Sequence, residues 1–282
     1  MSVQSIRYLR RGEIDTARWD HCIDAASNGL IYANSFYLDH MSRHWDALVL
    51  NDYEAVMPLT WNKKFGIHYL YQPAFTAALG VFGKNLNKEL VEQMLDAIPS
   101  KFRLIEIELN QQNKFDLPMR TQRYTDDSAF TEAEKAGRFV FYERTNFVLD
   151  LSRPYTDLHT GYRENLQRIL KKSAGLQFIS GIPVDEVLKL AQSQMRLVSN
   201  YTAKDFENFN SLFKILSAKQ QALTCGVYNS GNELLASAVF FYSHNRTYYI
   251  LVGNRVNGTE GASHYLLDRF IHDHAGKKLL LD

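Results

Sequence analysis

Only two cysteines, Cys22 and Cys225, occur in 282 residues. Two thiols this far apart exclude a disulfide framework and a cysteine metal knuckle, and two buried thiols, Cys225 inside a strand, are the expectation. An excess of one charge is also missing, since Lys plus Arg number 32 against 31 for Asp plus Glu. No global basic field therefore points to nucleic acid or to an acidic membrane. No stretch approaches a membrane-spanning length of uninterrupted apolar residues, and the N-terminus MSVQSIRYLRRGEIDTARWD lacks the apolar centre of a signal peptide. A soluble, cytoplasmic protein with no membrane span is expected, with the sequons at Asn200, Asn245 and Asn257 as chance matches. Gly-x-Gly-x-x-Gly, the phosphate-binding Gly-x-x-x-x-Gly-Lys-Ser/Thr and Gly-x-Ser-x-Gly are all absent, so no dinucleotide fingerprint, P-loop or nucleophile elbow is supported. His264, His272 and His274 share a helix but point to diverging faces, which argues against a metal.

What is present is aromatic. Tyr and Phe number 16 and 17, a share that suits β-rich packing and grooves lined by rings. The length suggests two domains, at roughly 100 to 200 residues each. The most informative stretch is Thr247 to Ala275, which reads as strand, glycine-bearing turn, then helix. Tyr248 to Val252 is a β-branched and aromatic run; Thr259 is a good N-cap; Ala262, Leu266 and Phe270 share one helical face, with Leu267 and Ile271 beside them. Gly276 closes that helix and Leu279-Leu280-Leu281 begins another strand. The turn from Asn254 to Ala262 offers backbone N–H groups and a positive helix end to a phosphate, although any strand-to-helix turn favours glycine.

Taken in order, the chain predicts a strand over 5–11, helices over 14–26 and 35–45, with Ser35 as a cap, and strands over 47–51, 55–61 and 67–72. A loop over 73–85, a helix over 88–98 and a strand over 104–109 follow. Residues 111–138 are polar and irregular, the expected mobile loop. Strands over 224–228, 234–242 and 248–252, then loop, helix and strand, repeat the order, with helices in 158–219 before them. Such an internal repeat predicts an α/β (mixed α+β) fold of two units in tandem, each a mixed twisted sheet flanked by helices. Their boundary falls near Leu149 to Pro154, where a strand over 144–151 ends, giving units 1–150 and 151–282. A single helix over 155–175 is expected to carry an apolar stripe of Leu158, Tyr162, Leu166, Ile169 and Leu170. Its polar face holds Arg163, Arg168, Lys171 and Lys172, either a solvated basic face or one that meets an anionic substrate.

Three strands, a loop and a helix with a phosphate site at its start resemble the GNAT acyltransferase core. Two such units joined by Tyr162-Arg-Glu-Asn-Leu-Gln-Arg-Ile-Leu-Lys-Lys-Ser, and the ending Gly276-Lys-Lys-Leu-Leu-Leu-Asp282, are similar to the FemAB-like branch. The resemblance implies transfer of an acyl or aminoacyl group from an acyl-CoA, or from an aminoacyl-tRNA, to the amine of a small molecule or peptide; in Fem-type enzymes the acceptor is a peptidoglycan precursor. The donor is then expected against Leu251, Val252, Arg255, Gly258, Gly261 and Ala262, the acceptor against Tyr71, Gln72, Arg163, Arg168 and Lys172. Tyr249 and Asp282, at carboxyl ends of central strands, are the candidates for proton handling; strand N–H groups near Val252 suit the oxyanion. No metal is implied, tRNA is not favoured by the near-neutral charge, and a monomer or homodimer is expected.

Two departures keep a second hypothesis open. Arg255-Val-Asn-Gly258-Thr-Glu260 places an acidic side chain where the GNAT pyrophosphate loop has a small residue. Members of the branch also continue past the equivalent of Asp282, so the second unit is expected to be short of closing elements. The alternative is a non-catalytic tandem module binding a nucleotide- or sugar-linked ligand or a protein partner.

Overall fold

The computed structural model describes residues 5–114, 139–173, 175–195, 201–255 and 261–282, and the backbone of Met119–Arg120. In the first sheet β1 (Ile6–Leu9), β2 (His44–Leu50), β3 (Ala55–Lys64) and β4 (Ile67–Leu70) form an antiparallel meander. Helix α3 (Lys88–Asp96) then leads to β6 (Phe102–Ile105), parallel to β4, while β5 (Phe82–Gly83) pairs with the start of β3. In the second, β10 (Gln177–Ser180), β11 (Ala222–Tyr228), β12 (Leu234–Ser243) and β13 (Arg246–Asn254) repeat the meander. Helix α8 (Ala262–His274) leads to β14 (Leu280–Leu281), parallel to β13, and β9 (Leu149–Asp150) closes the order. β7 (Met119–Arg120) and β8 (Phe141–Tyr142) form a separate parallel pair.

The repeat is closer than the sequence indicates. Between β1 and β2 lie α1 (Thr16–Ala25) and α2 (Ser35–Met41); between β10 and β11 lie α6 (Val184–Met195) and α7 (Ala203–Ala218). β10 escapes a periodicity reading because it has four residues and none of them is buried. Each helix starts for a local reason. Asp15 caps α1 by accepting from Ala17 N and Arg18 N, and Thr202 and Asp205 form a reciprocal capping box on α7.

Several boundaries move. The expected helix over 155–175 is two, α4 (Tyr155–Thr160) and α5 (Glu164–Lys172), because Gly161 ends the first and Arg163 is extended at ψ 146. The helix expected over 35–45 stops at Met41, since Ser42 turns extended and Trp45 enters β2; its N-cap is Asn34, not Ser35. Helix α8 takes Gly261 as N-cap, not Thr259, which lies outside the described residues. The strand expected over 104–109 spans Phe102–Ile105, and of 144–151 only Leu149–Asp150 is strand. Within 111–138, Gln111–Asn113 is a 3-10 turn, and most of the rest lies outside the described residues.

The largest hydrophobic cluster crosses between the sheets. Trp19, Ile31, Tyr32 and Tyr37 from the first half pack with Phe206, Phe209, Phe241 and Tyr248 from the second. Phe75 is the wedge. It is buried at φ 54, in the left-handed region, with its ring 4.9 Å from Phe209 and 5.3 Å from Phe206. Tyr37 OH donates to its carbonyl. At the same seam the β12–β13 hairpin turns through His244 and Asn245, at φ 52 and 53, as a two-residue turn with both centres left-handed. His244 there contacts Ser243 Oγ at 2.5 Å and Asp24 Oδ1 at 3.5 Å. Among the described residues no helix is long and apolar enough to cross a membrane.

Replacing the wedge, Phe75→Ala, is expected to cost about 3 kcal/mol of stability, the lower part of the range for a buried phenylalanine, read from the urea midpoint. A loss under about 1 kcal/mol would mean that the halves do not depend on a shared core. A second expectation concerns pH. Burial lowers the pKa of His244 and of His274 below their ordinary 6.5. The unfolded chain therefore binds these protons first, so stability is full above about 6.5 and falls as pH drops through the depressed values. Urea midpoints measured across this window should decline, and His244→Gln with His274→Gln should flatten the decline; an unchanged slope would exclude these two groups as its source.

Candidate active site

Strand β13 is longer than its parallel partner. The ladder with β14 ends where Tyr249 N donates to Asp282 O at 2.8 Å, after Asp282 N has donated to Thr247 O at 2.9 Å. From Ile250 to Asn254 the strand still pairs with β12, but among the described residues no strand lies along its other edge. A bulge marks the transition. Val239 faces Leu251 while the next residue, Phe240, faces Tyr249, so Ile250 is the extra residue. Alternation through the bulge returns Val252 N–H and C=O to the open side. Asn254 N, two residues on, donates away from β12 to Gln194 Oε1 at 2.7 Å, which fits that phase.

The equivalent place in the first sheet is closed. The chain leaves β4 at Tyr71, loops through 72–78, and returns so that Leu79 N donates to Glu108 O at 2.7 Å and Asn110 N to Leu79 O at 2.9 Å. Buried Asn28, Asn110 and Asn113 all donate to Val81 O and seal the gap. Among the described residues the gap beyond the parallel pair is filled in the first unit and left open in the second.

Helix α8 follows that edge in the chain and packs on β11 and β12. Gly261 sits at φ 92, and a Cβ there would lie 2.4 Å from Ile169 Cγ2 and 3.0 Å from Ser173 Oγ. Glycine is thus required twice over, by conformation and by the close approach of α5. That approach sets α5, which carries Arg168, Lys171 and Lys172 and has Arg163 at its N-cap, against the start of α8 through Ile169 and Ser173. All four are exposed, and none is in an ion pair among the described residues. Ala262 and Leu251 are buried and Val252 half-buried. Arg255 turns the other way, with Nε donating to Leu234 O at 3.1 Å and its guanidinium 3.2 Å from Glu233 Oε1. Gly258 and Glu260 lie outside the described residues.

Tyr249 and Asp282 meet at the last rung through their backbones. The Tyr249 ring stacks on Phe240 with centroids 5.2 Å apart, and burial, then Cys225, pushes its phenol up to about 12. The Asp282 carboxylate accepts from Arg246 at 3.1 Å on one oxygen and from Asn146 Nδ2 at 2.8 Å on the other. Neither Arg246 nor Asn146 stands out in the sequence. Arg246 could have been suspected as a cation opening a buried strand, Asn146 only from the fold. Both cysteines are buried as expected, and burial raises their thiols to about 11 and about 12, so neither is a ready nucleophile.

Tyr71 and Gln72 belong elsewhere. Tyr71 OH accepts from Arg43 N at 2.9 Å, while Gln72 donates to Thr76 O at 3.0 Å and accepts from Glu108 N at 3.1 Å. These bonds brace the 72–78 loop, and none of them reaches β13 or α5.

No family model and no curated protein matches the sequence. Solved structures do match in shape. FemX superposes with a TM-score of 0.60 at 10% identity, covering 98% of this chain and 88% of that one. A conserved protein of unknown function from Bacteroides thetaiotaomicron does so with 0.53 at 12% identity, covering 98% and 89%. At such identities the likeness is one of fold. The doubled meander, helix and parallel strand described above are thus the FemX-like arrangement, two GNAT-like units in tandem, that the resemblance implied.

Proposed function

We propose that the chain is an N-acyltransferase, with units 1–150 and 151–282, whose second unit holds an acyl-CoA or aminoacyl-tRNA donor against the open edge of β13. The acceptor is an amine on a small molecule or peptide, with a cytoplasmic cell-wall precursor one candidate. The supporting observation is an unpaired edge on β13 that the chain follows with the start of α8, against which packs α5 with three uncommitted cations and Arg163 at its N-cap. Strand N–H groups can bond an extended donor arm, and a helix start with flanking cations suits its phosphates.

In the step proposed, the amine nitrogen attacks the donor carbonyl and the new C–N bond forms. The tetrahedral oxyanion is met by Val252 N–H. The C–S or C–O bond to the donor then breaks. Tyr249, protonated at neutral pH, supplies the leaving group's proton, and Asp282 takes the amine's, in the role of general base. A second reading has its own support. The Asp282 carboxylate is already engaged by Arg246 and Asn146, which suits a module that binds its ligand without turning it over.

Calorimetric titration of the full chain with acetyl-CoA, longer acyl-CoAs and free CoA tests the donor. Saturable binding is expected, abolished by Gly258→Asp and weakened roughly tenfold by Arg168→Glu with Lys172→Glu, while Glu260→Gly should strengthen it. No binding by any CoA species removes that donor and leaves aminoacyl-tRNA or the binding module. If a CoA binds, Asp282→Asn should leave affinity unchanged and cut turnover about 100-fold; undiminished turnover would remove Asp282 from the chemistry, and no turnover in the parent protein would favour the second reading.

A further inference from the structure

The β3–β4 hairpin of the first sheet overhangs its neighbours. β2 reaches β3 only as far as the rung of His44 with Trp61, and β6 meets β4 from His68 onward. Past Trp61, β3 continues through Asn62, Lys63 and Lys64, turns at Phe65 and Gly66, and returns at Ile67. All five residues from 63 to 67 are exposed. Phe65 and Gly66 form a two-residue turn with both centres left-handed, at φ 49 and 82. The first of these centres favours asparagine, aspartate or glycine, and a phenylalanine adopts it at a cost. Packing returns almost nothing, because Phe65 is 92% exposed, with the Lys64 ammonium 5.5 Å from its ring centre.

The apolar surface continues from the turn onto the sheet. Ile67 is 52% and Leu104 60% exposed. Tyr69, two residues after Ile67, pairs with Leu104, so these three side chains share one face across β4 and β6. Leu70 and Trp61 belong to the opposite face, which α3 covers. A protruding turn that leads into such a row is the kind of exposed apolar surface that marks a contact.

The charge around it is basic. Lys63, Lys64 and Arg103 are exposed and in no ion pair among the described residues. The carboxylates of this end are spent or set back. Asp46 accepts from Tyr8 and lies 3.6 Å from Lys101. Glu106 lies beside Leu70, roughly 10 Å along the strand from Ile67, and Asp96 ends α3 on the opposite face. A second copy of the chain would fit this tip poorly, since a two-fold contact sets one pair of lysines against the other. An anionic bilayer meets both features, with its acyl boundary taking the apolar side chains and its phosphates the cations.

We propose that the β3–β4 turn docks on an anionic lipid bilayer. Phe65 and Ile67 enter the interface, and Lys63, Lys64 and Arg103 meet lipid phosphates. The contact needs no spanning helix. Two apolar side chains and three cations give a reversible, salt-sensitive attachment, and the balanced charge of the whole chain has little bearing on it, because charges are screened over about 8 Å. The inference is independent of the donor assignment.

Co-sedimentation of the full chain with vesicles of phosphatidylglycerol and phosphatidylcholine in equal parts tests it. Saturable binding that weakens with salt is expected, with little binding to phosphatidylcholine alone. Phe65→Ser should weaken it roughly tenfold, and Lys63→Gln with Lys64→Gln at least tenfold. Phe65→Trp should bind like the parent, and its fluorescence should be quenched by brominated acyl chains. These positions are exposed, so every variant should keep the parent's melting temperature. Absence of binding to the anionic vesicles overturns the inference. So does binding that survives both the Phe65→Ser and the lysine exchanges, which would move the contact to other cations such as those of α5. Equally tight binding of a single-stranded oligonucleotide, or a concentration-dependent dimer, lost in the same variants would assign the tip to nucleic acid or to a second copy and overturn it as well.

Discussion

Tyr248 and Tyr249 are neighbours in β13 that serve opposite faces, and the rest of the structure depends on their staying so. Tyr248 packs into the core between the halves, where its hydroxyl accepts from Ile31 N at 3.2 Å and its ring meets Tyr32 at 5.2 Å. Tyr249 packs on Phe240 in the second unit's own core. A one-residue slip would exchange them and break both cores, so the register has no alternative. The bulge follows from the same demand. Leu251 belongs to the seam core with Tyr248, three positions away, which strict alternation forbids and one extra residue, Ile250, permits. The kink that satisfies packing also turns Val252 toward the open edge.

The two units show how one topology serves two ends. In the first, seven residues inserted after Tyr71 carry Phe75 outward into α7, and a buried asparagine cluster closes the space behind them. The possible ligand slot has become a joint. In the second, the slot stays open and the joint's other half, Phe206 and Phe209, is provided by a helix. Closing one slot thus stabilises the platform on which the other is displayed. Left-handed φ at Phe75, buried at the seam, shows that the chain accepts backbone strain there to fix how the halves meet.

Patterns of short range were legible in the sequence. The strands over 55–61 and 234–242, and the buried face of Ala262, Leu266 and Phe270, appear where alternation and helical period put them. What failed was set locally by single dihedrals or globally by contacts. Gly161 and Ser42 each end a helix that apolar spacing would have continued. At the site, proximity of Tyr249 to Asp282 and of α5 to Gly261 was anticipated only in part, through the resemblance. That Arg255 pairs with Glu233, and Asp282 with Arg246, depends on which strands lie side by side, and no spacing within one segment encodes it.

Near-neutral net charge did not distinguish a ligand site from a plain surface, and the pairing of the cations explains why. Arg11, Arg18, Arg246, Arg255 and Arg269 each face a carboxylate within 4 Å, so their fields cancel close to the surface. On α5 the charges lie on the exposed side of the helix, and no such partner occurs among the described residues. At physiological ionic strength a charge is screened over about 8 Å, so what a ligand meets is the local set and not the total. Arg168, Lys171 and Lys172 on α5, with Arg163 at its N-cap, are therefore a stronger electrostatic feature than the balance of the whole chain allows, and they are carried by the helix whose Ile169 and Ser173 meet Gly261.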